Sequence, residues 1–75
     1  MSEKKIIDIS QLSDEEQCVL LLLKRKGRCL YGNIFKELNY SQTKGAEIIF
    51  SLISKGYIQN AGKSSYYELN GELKK

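Results

Sequence analysis

Histidine, proline and tryptophan are absent from the chain, and cysteine occurs only as Cys18 and Cys29. Without histidine the chain cannot assemble a Ser-His-Asp triad or a Cys-His nucleophile, and two cysteines are too few for a structural zinc site. We therefore expect a protein that is not an enzyme and that has no catalytic residues, no metal and no cofactor.

Long hydrophobic runs are also absent. The longest, residues 18–23, has six residues, whereas about 20 are needed to span a bilayer. Residues 1–12 carry charges at Glu3, Lys4, Lys5 and Asp8, and they lack the apolar stretch of a secretory signal. Together with the two cysteines, these features predict a cytoplasmic protein with no membrane partner.

The length of 75 residues suffices for one domain. We assign residues 1–12 to an N-terminal segment, residues 13–70 to the folded domain and residues 71–75 to a polar tail. Twelve lysines and arginines against nine acidic residues give a net charge of +3. This mild excess is compatible with a nucleic-acid partner but does not predict one unaided.

Capping residues and apolar spacing indicate three helices. Ser13 and Glu16 form a capping-box pattern at the start of the first, and Gly27 can end it in a left-handed conformation. Ser41 is suited to cap the third. Apolar positions of the third helix recur at helical spacing: Gly45, Ile48, Ile49, Leu52 and Ile53. The helices are predicted over residues 13–26, 31–38 and 41–55.

After Gly56 the apolar period changes from 3.6 to 2, which is typical of strands. Strands over residues 57–60 and 65–69 flank a Gly-containing tip and predict a β-hairpin. Residues 28–30 can form a third short strand that pairs with the hairpin and covers its edge. Residues 72–75 are predicted to fray.

The pattern Leu38-Asn39-Tyr40-Ser41-Gln42, followed by Ile49, Leu52 and Lys55-Gly56-Tyr57-Ile58, covers a tight turn and the helix after it. With the order of elements, it resembles the winged helix-turn-helix superfamily, and in particular small bacterial and archaeal regulators. The resemblance implies an α+β fold of three helices with a C-terminal β-hairpin wing. It also implies a DNA-binding protein, a small transcription regulator that inserts its third helix into the major groove of double-stranded DNA.

In such proteins the exposed residues at the start of the third helix contact base edges, and the wing contacts the backbone. Gln42 can form hydrogen bonds with adenine, and Thr43 can contact a thymine methyl or a phosphate. Lys44 can contact a phosphate or guanine. The full set that the resemblance implies is Gln42, Thr43, Lys44, Ala46, Glu47, Lys55, Lys63 and Ser64. A solvated helix face and an ordinary turn remain the alternatives.

Two residues depart from the regulator pattern. Glu47 stands where many such regulators have a basic residue, and a carboxylate repels phosphate. Phe50 occupies an often polar position, and we expect it to be partly exposed and to pair with Tyr67. This pair also gives a faint resemblance to Z-DNA-binding winged-helix domains, which have Asn and Tyr where this chain has Ala46 and Phe50. The alternative function is a winged-helix protein-interaction module that uses Tyr40, Phe50 and Tyr67 without binding DNA.

Gly45 within a predicted helix has a packing explanation. We expect the third helix to cross the second at Gly45, opposite Phe35. The resembled families usually have a small residue at the Phe35 position and a branched one at the Gly45 position. We expect the two volumes to be exchanged here, so that the Phe35 ring fills the space beside Gly45.

The first helix is apolar on every side between Val19 and Leu23, although a terminal helix needs only one buried face. If Cys18, Val19, Leu21 and Leu22 form that face, Leu20 or Leu23 is in excess. The excess is covered either by Ile6, Ile7, Ile9 and Leu12 of the N-terminal segment or by a second copy of the chain, as a homodimer through the first helix and that segment.

Overall fold

Three α-helices, one short 3-10 helix (Ile9–Gln11) and five short strands form the part of the chain that the computed structural model describes, residues 6–74. The helices are α1 (Asp14–Lys26), α2 (Tyr31–Leu38) and α3 (Gln42–Ser54). The strands are β1 (Ile6–Ile7), β2 (Arg28–Leu30), β3 (Ile58–Asn60), β4 (Tyr66–Leu69) and β5 (Glu72–Leu73). The predicted helices and strands are confirmed to within one residue at each end, and the resulting α+β domain is compatible with a winged-helix-like layout.

The start of α1 has the predicted capping box. The Ser13 side chain accepts a hydrogen bond from the Glu16 backbone N–H at 3.3 Å, and Glu16 Oε1 accepts one from the Ser13 backbone N–H at 3.3 Å. At the other end Gly27 has a φ of +86°, which favours glycine, and its N–H donates to the Leu23 carbonyl. The local residue types therefore define both ends of α1.

The turn between α2 and α3 is set by two side chains. Asn39 adopts the left-handed conformation (φ 58°, ψ 42°), which Asn tolerates better than most residues. Ser41 then caps α3 by accepting a hydrogen bond from the Lys44 backbone N–H at 3.1 Å. This connection of residues 39–41 brings α3 across α2, so that Gly45 lies against Phe35.

The larger sheet is antiparallel with the strand order β2-β4-β3. Tyr67 of β4 lies opposite Cys29 of β2 and opposite Asn60 of β3. The prediction that residues 28–30 pair with the hairpin is confirmed, since β2 occupies the edge of β4 that β3 leaves free.

The polar tail does not fray at residues 72–73, contrary to the prediction. Strand β5 pairs in parallel with β1, and the Lys74 N–H donates to the Ile7 carbonyl at 2.8 Å. Because Ile7 is fully buried, the backbone of β1 needs hydrogen-bond partners away from water, and β5 supplies them. Lys75, the last residue of the predicted tail, and residues 1–5 lie outside the described part.

The core contains both leucines that the sequence suggested as excess. Leu20 and Leu23 are fully buried, whereas Leu21 is 49% exposed and Cys18 is exposed. The predicted buried face is therefore correct for Val19 and Leu22 and wrong for Cys18 and Leu21, because α1 turns Leu20 and Leu23 toward the core instead. Ile7 and Leu12 of the N-terminal segment belong to the same buried cluster, so that segment covers part of the apolar surface within one chain.

Candidate nucleic-acid interface

The outward face of α3 carries four of the predicted contact residues. Gln42, Thr43 and Glu47 are exposed, and Ala46 is half-buried. The opposite side of the helix, with Ile48, Ile49 and Leu52, is buried in the core. The only formal charge on this outward set is the carboxylate of Glu47.

Lys44 turns sideways, toward α1. Its Nζ lies 2.8 Å from Glu15 Oε2, and the two side chains are 52% and 41% exposed. The hydrogen bond and the charge of Glu15 raise the pKa of Lys44 above its ordinary value. The ammonium is thus next to the outward face of α3 but is already neutralised by a partner on another helix.

Lys55, the C-cap residue of α3, also faces α1. Its Nζ lies 2.8 Å from Glu16 Oε2, and Ser51 Oγ donates to the same oxygen at 2.9 Å. Burial raises the pKa of Glu16, but the hydrogen bonds from Lys55, Ser51 and the Ser13 backbone outweigh it and hold the pKa below its ordinary value. Lys55 therefore joins two helices and does not lie with the outward set.

The hairpin tip, residues 61–65, contains the other two predicted contacts. Ser64 Oγ donates to the Ala61 carbonyl at 2.7 Å and accepts from the Tyr66 N–H at 3.2 Å, so its hydroxyl holds the tip in shape. Lys63 is exposed and makes no ion pair with any residue between 6 and 74. The tip thus presents one ammonium group to solvent.

A cleft separates α3 from the hairpin, and sequence reasoning did not predict its full lining. We call it the α3–hairpin cleft; it is lined by Tyr31, Ile49, Phe50, Ile53, Asn60, Ser64, Ser65 and Tyr67. The Tyr31 N–H donates to the Ser65 carbonyl at 3.2 Å, which ties the start of α2 to the tip. Ile53, expected among the apolar core positions of α3, is 37% exposed at this cleft.

Phe50 is exposed as predicted, at 66%, but it does not pair with Tyr67. The Tyr67 ring packs against Tyr31 at a centroid distance of 5.8 Å, and Tyr31 packs against Phe35 at 4.7 Å. Strand β2 pairs with β4 and leads directly into α2. Tyr31, the first residue of α2, therefore lies beside Tyr67. Phe50 and Tyr67 share the α3–hairpin cleft without a ring contact.

Tyr40 lies on a different surface. Its hydroxyl donates to the Glu15 carbonyl of α1 at 3.1 Å, and Tyr40 does not line the α3–hairpin cleft. Burial is the main reason that the pKa of its hydroxyl is raised. The three aromatic residues expected to form one interaction surface are therefore divided between two.

The remaining basic residues are distributed around the domain. Lys26 pairs with Glu37 at 3.1 Å and Arg28 with Glu68 at 3.3 Å. Within residues 6–74, four basic side chains make no ion pair: Lys24, Arg25, Lys36 and Lys63. Of these four, only Lys63 belongs to the hairpin tip.

The described residues contain no group of three or more His, Cys, Asp or Glu side chains arranged to hold a metal ion. None of the helices in this part of the chain is long and apolar enough to cross a membrane. No protein-family model matches the chain, and neither does a curated protein or a solved structure.

Proposed function

We propose that this domain is a winged helix-turn-helix that binds double-stranded DNA as a small transcription regulator. The observation that carries the proposal is the shared cleft: α3, with exposed polar side chains at its start, lies on one side, and the hairpin tip with Lys63 lies on the other. A helix of this kind fits a major groove about 12 Å wide, and the tip then lies beside the backbone.

In this proposal the base-reading groups are Gln42 and Thr43. Both are exposed on the first turn of α3. A Gln amide can donate to and accept from adenine, and a Thr methyl can contact thymine. Lys63 provides a phosphate contact that carries no sequence information.

The charges of the domain predict modest affinity for one copy. Glu47 repels phosphate, and Lys44 and Lys55 are each held by a glutamate of α1. The Lys44 pair is exposed, and water screens such pairs strongly, so a DNA phosphate can replace Glu15 as the partner of Lys44. Lys55 is held more firmly, because Glu16 is buried and is also bound by Ser51.

The test is a titration of a mixed-sequence duplex of about 20 base pairs, two helical turns, between about 50 and 200 mM salt. We expect measurable binding at the lower salt, with affinity falling as salt rises. Lys63→Ala should reduce the slope of log K against log salt by about one, because one phosphate contact is lost.

Lys24→Ala is the matched control, since Lys24 is also exposed and unpaired among residues 6–74 but lines a different pocket, near Leu69 and Leu73. It should leave the slope unchanged. No duplex binding at about 50 mM salt, where phosphate contacts are strongest, would contradict the proposal. An equal effect of Lys24→Ala and Lys63→Ala would contradict the assigned face.

A second function, binding of a protein through the α3–hairpin cleft, is favoured by the 66% exposure of Phe50 and the exposure of Ile53 beside it. Phe50→Ser separates the two functions. If a protein occupies the cleft, this variant should lose the partner, whereas Lys63→Ala should retain it. If DNA is the partner, Phe50→Ser should leave the salt slope unchanged.

A further inference from the structure

One exposed line of side chains on α1 is apolar in the middle and charged at its ends. The line consists of Asp14, Cys18, Leu21 and Arg25, which lie three or four residues apart and therefore on one face of the helix. We call it the α1 outer face. The opposite side of α1, with Glu16, Val19, Leu20 and Leu23, is buried in the core.

The middle of the α1 outer face is a shallow apolar depression. It is lined by Cys18, Leu21, Leu22 and Arg25, with Leu38 of α2 at its edge. Four side chains at positions i, i+3, i+4 and i+7 form the hole that receives a side chain from a facing helix in helix packing. Leu21 is 49% exposed here, so a leucine is exposed to water where a packed helix would cover it.

The charged ends favour one kind of partner for this depression. Asp14 is negative and Arg25 is positive, and neither makes an ion pair with a residue between 6 and 74. The midpoint between residues 14 and 25 is also the midpoint between residues 18 and 21. A helix with this arrangement is complementary to its own copy when the two run antiparallel.

We propose that the α1 outer face binds a second copy of this chain in an antiparallel arrangement about a two-fold axis. The axis passes between Cys18 and Leu21. Asp14 then faces the partner's Arg25 at both ends, and Cys18 faces the partner's Leu21 in the middle. A parallel pair would oppose like charges at both ends, so the charges select the antiparallel direction. This proposal does not depend on DNA binding.

The first test is the oligomeric state of the full chain at about 100 µM, well above a micromolar association threshold. Sedimentation should show a dimer. Leu21→Lys should give a folded monomer, because it places a charge in the apolar middle of the interface. Ile53→Lys is the matched control on the α3–hairpin cleft and should remain a dimer.

The second test concerns the direction of the pair and is independent of whether one variant folds poorly. Asp14→Arg alone and Arg25→Asp alone each oppose like charges in their own homodimers, so we expect dimer dissociation constants about tenfold higher or more. An equimolar mixture of these two variants restores opposite charges at both ends and should form a heterodimer with near-wild-type affinity.

Three outcomes would overturn the proposal. The first is a wild-type monomer at about 100 µM. The second is a dimer that is dissociated by Ile53→Lys and not by Leu21→Lys, and the third is a mixture of the two charge variants that associates no better than each variant alone. Circular dichroism of each variant at low concentration checks that it is folded. If the monomeric Leu21→Lys variant still binds duplex DNA, the dimer interface and the DNA-binding face are different surfaces.

Discussion

The ring of Phe35 occupies the space that a side chain at position 45 would need. A Cβ atom on Gly45 would lie 2.5 Å from Phe35 Cε1 and 2.6 Å from Cδ1, closer than real Cβ contacts allow. Phe35 is buried at the crossing of α2 and α3, and its ring also packs on Tyr31. The predicted contact between Phe35 and Gly45 is thus confirmed.

Adding a side chain at Gly45 should destabilise the protein even though glycine is a poor helix former. We expect Gly45→Val to lower the free energy of unfolding by about 1 to 3 kcal/mol, because the Phe35 ring must move out of its packed position. Gly32→Ala is the control: it also removes a helical glycine, but nothing lies within 4 Å of the added Cβ. It should raise stability by up to about 1 kcal/mol. Urea denaturation measures both, and an unchanged midpoint for Gly45→Val would contradict the packing account.

Glu16 should make the stability of the fold depend on pH. Its pKa is lower in the folded chain than its ordinary value of 4.5. The stabilisation is therefore complete at pH values above 4.5 and is lost as the pH falls through the lowered folded value. Glu16→Gln should cost about 1 to 2 kcal/mol near neutral pH, since the hydrogen bonds from Ser51 and Lys55 lose their charged acceptor.

The measurement is the difference in unfolding free energy between wild type and Glu16→Gln from pH 7 to pH 2.5. Taking the difference removes the contribution of other acids, including Asp8, whose pKa is also lowered by hydrogen bonds from Ser10. The difference should shrink toward zero as the pH falls. A difference that is constant with pH would show that Glu16 acts only through packing.

Glu15 should weaken DNA binding by holding Lys44, if the proposed function is correct. Glu15→Gln leaves the side-chain size unchanged and removes the charge 2.8 Å from Lys44 Nζ. We expect tighter binding to mixed-sequence duplex, because Lys44 no longer has to leave Glu15 in order to contact a phosphate. The gain should disappear in the Glu15→Gln/Lys44→Ala double variant. A gain that persists there would indicate a general charge effect.

Gln42 and Glu47 should affect binding in different ways. Gln42→Ala should reduce discrimination at one base pair by about 1 to 3 kcal/mol and leave the salt slope nearly unchanged, because it reads a base edge. Glu47→Lys should raise affinity for all sequences, since it replaces a repulsive charge with an attractive one. Competition titrations with duplexes that differ at single positions measure both effects. An equal loss on all sequences for Gln42→Ala would show that it does not read bases.

Much of the fold could be predicted because its signals are local. The capping box of Ser13 and Glu16, the left-handed turn at Asn39 and the cap at Ser41 each involve residues within a few positions of one another. Helical and strand periodicity depend on equally short distances along the chain. These residue types therefore predicted the helices, the hairpin and the exposed start of α3.

The contacts of the candidate site depended on how the helices pack. From the sequence, Lys44 and Lys55 were predicted to be DNA contacts on and just after the third helix. In the structure each is paired with a glutamate of α1, Glu15 or Glu16. The same packing exposes Leu21 and buries Leu20 and Leu23, and it pairs β5 with β1. The sequence alone shows that a lysine is charged and that a leucine is apolar. Whether that charge is neutralised, or that leucine buried, depends on residues far apart in the chain that only the packed core brings together.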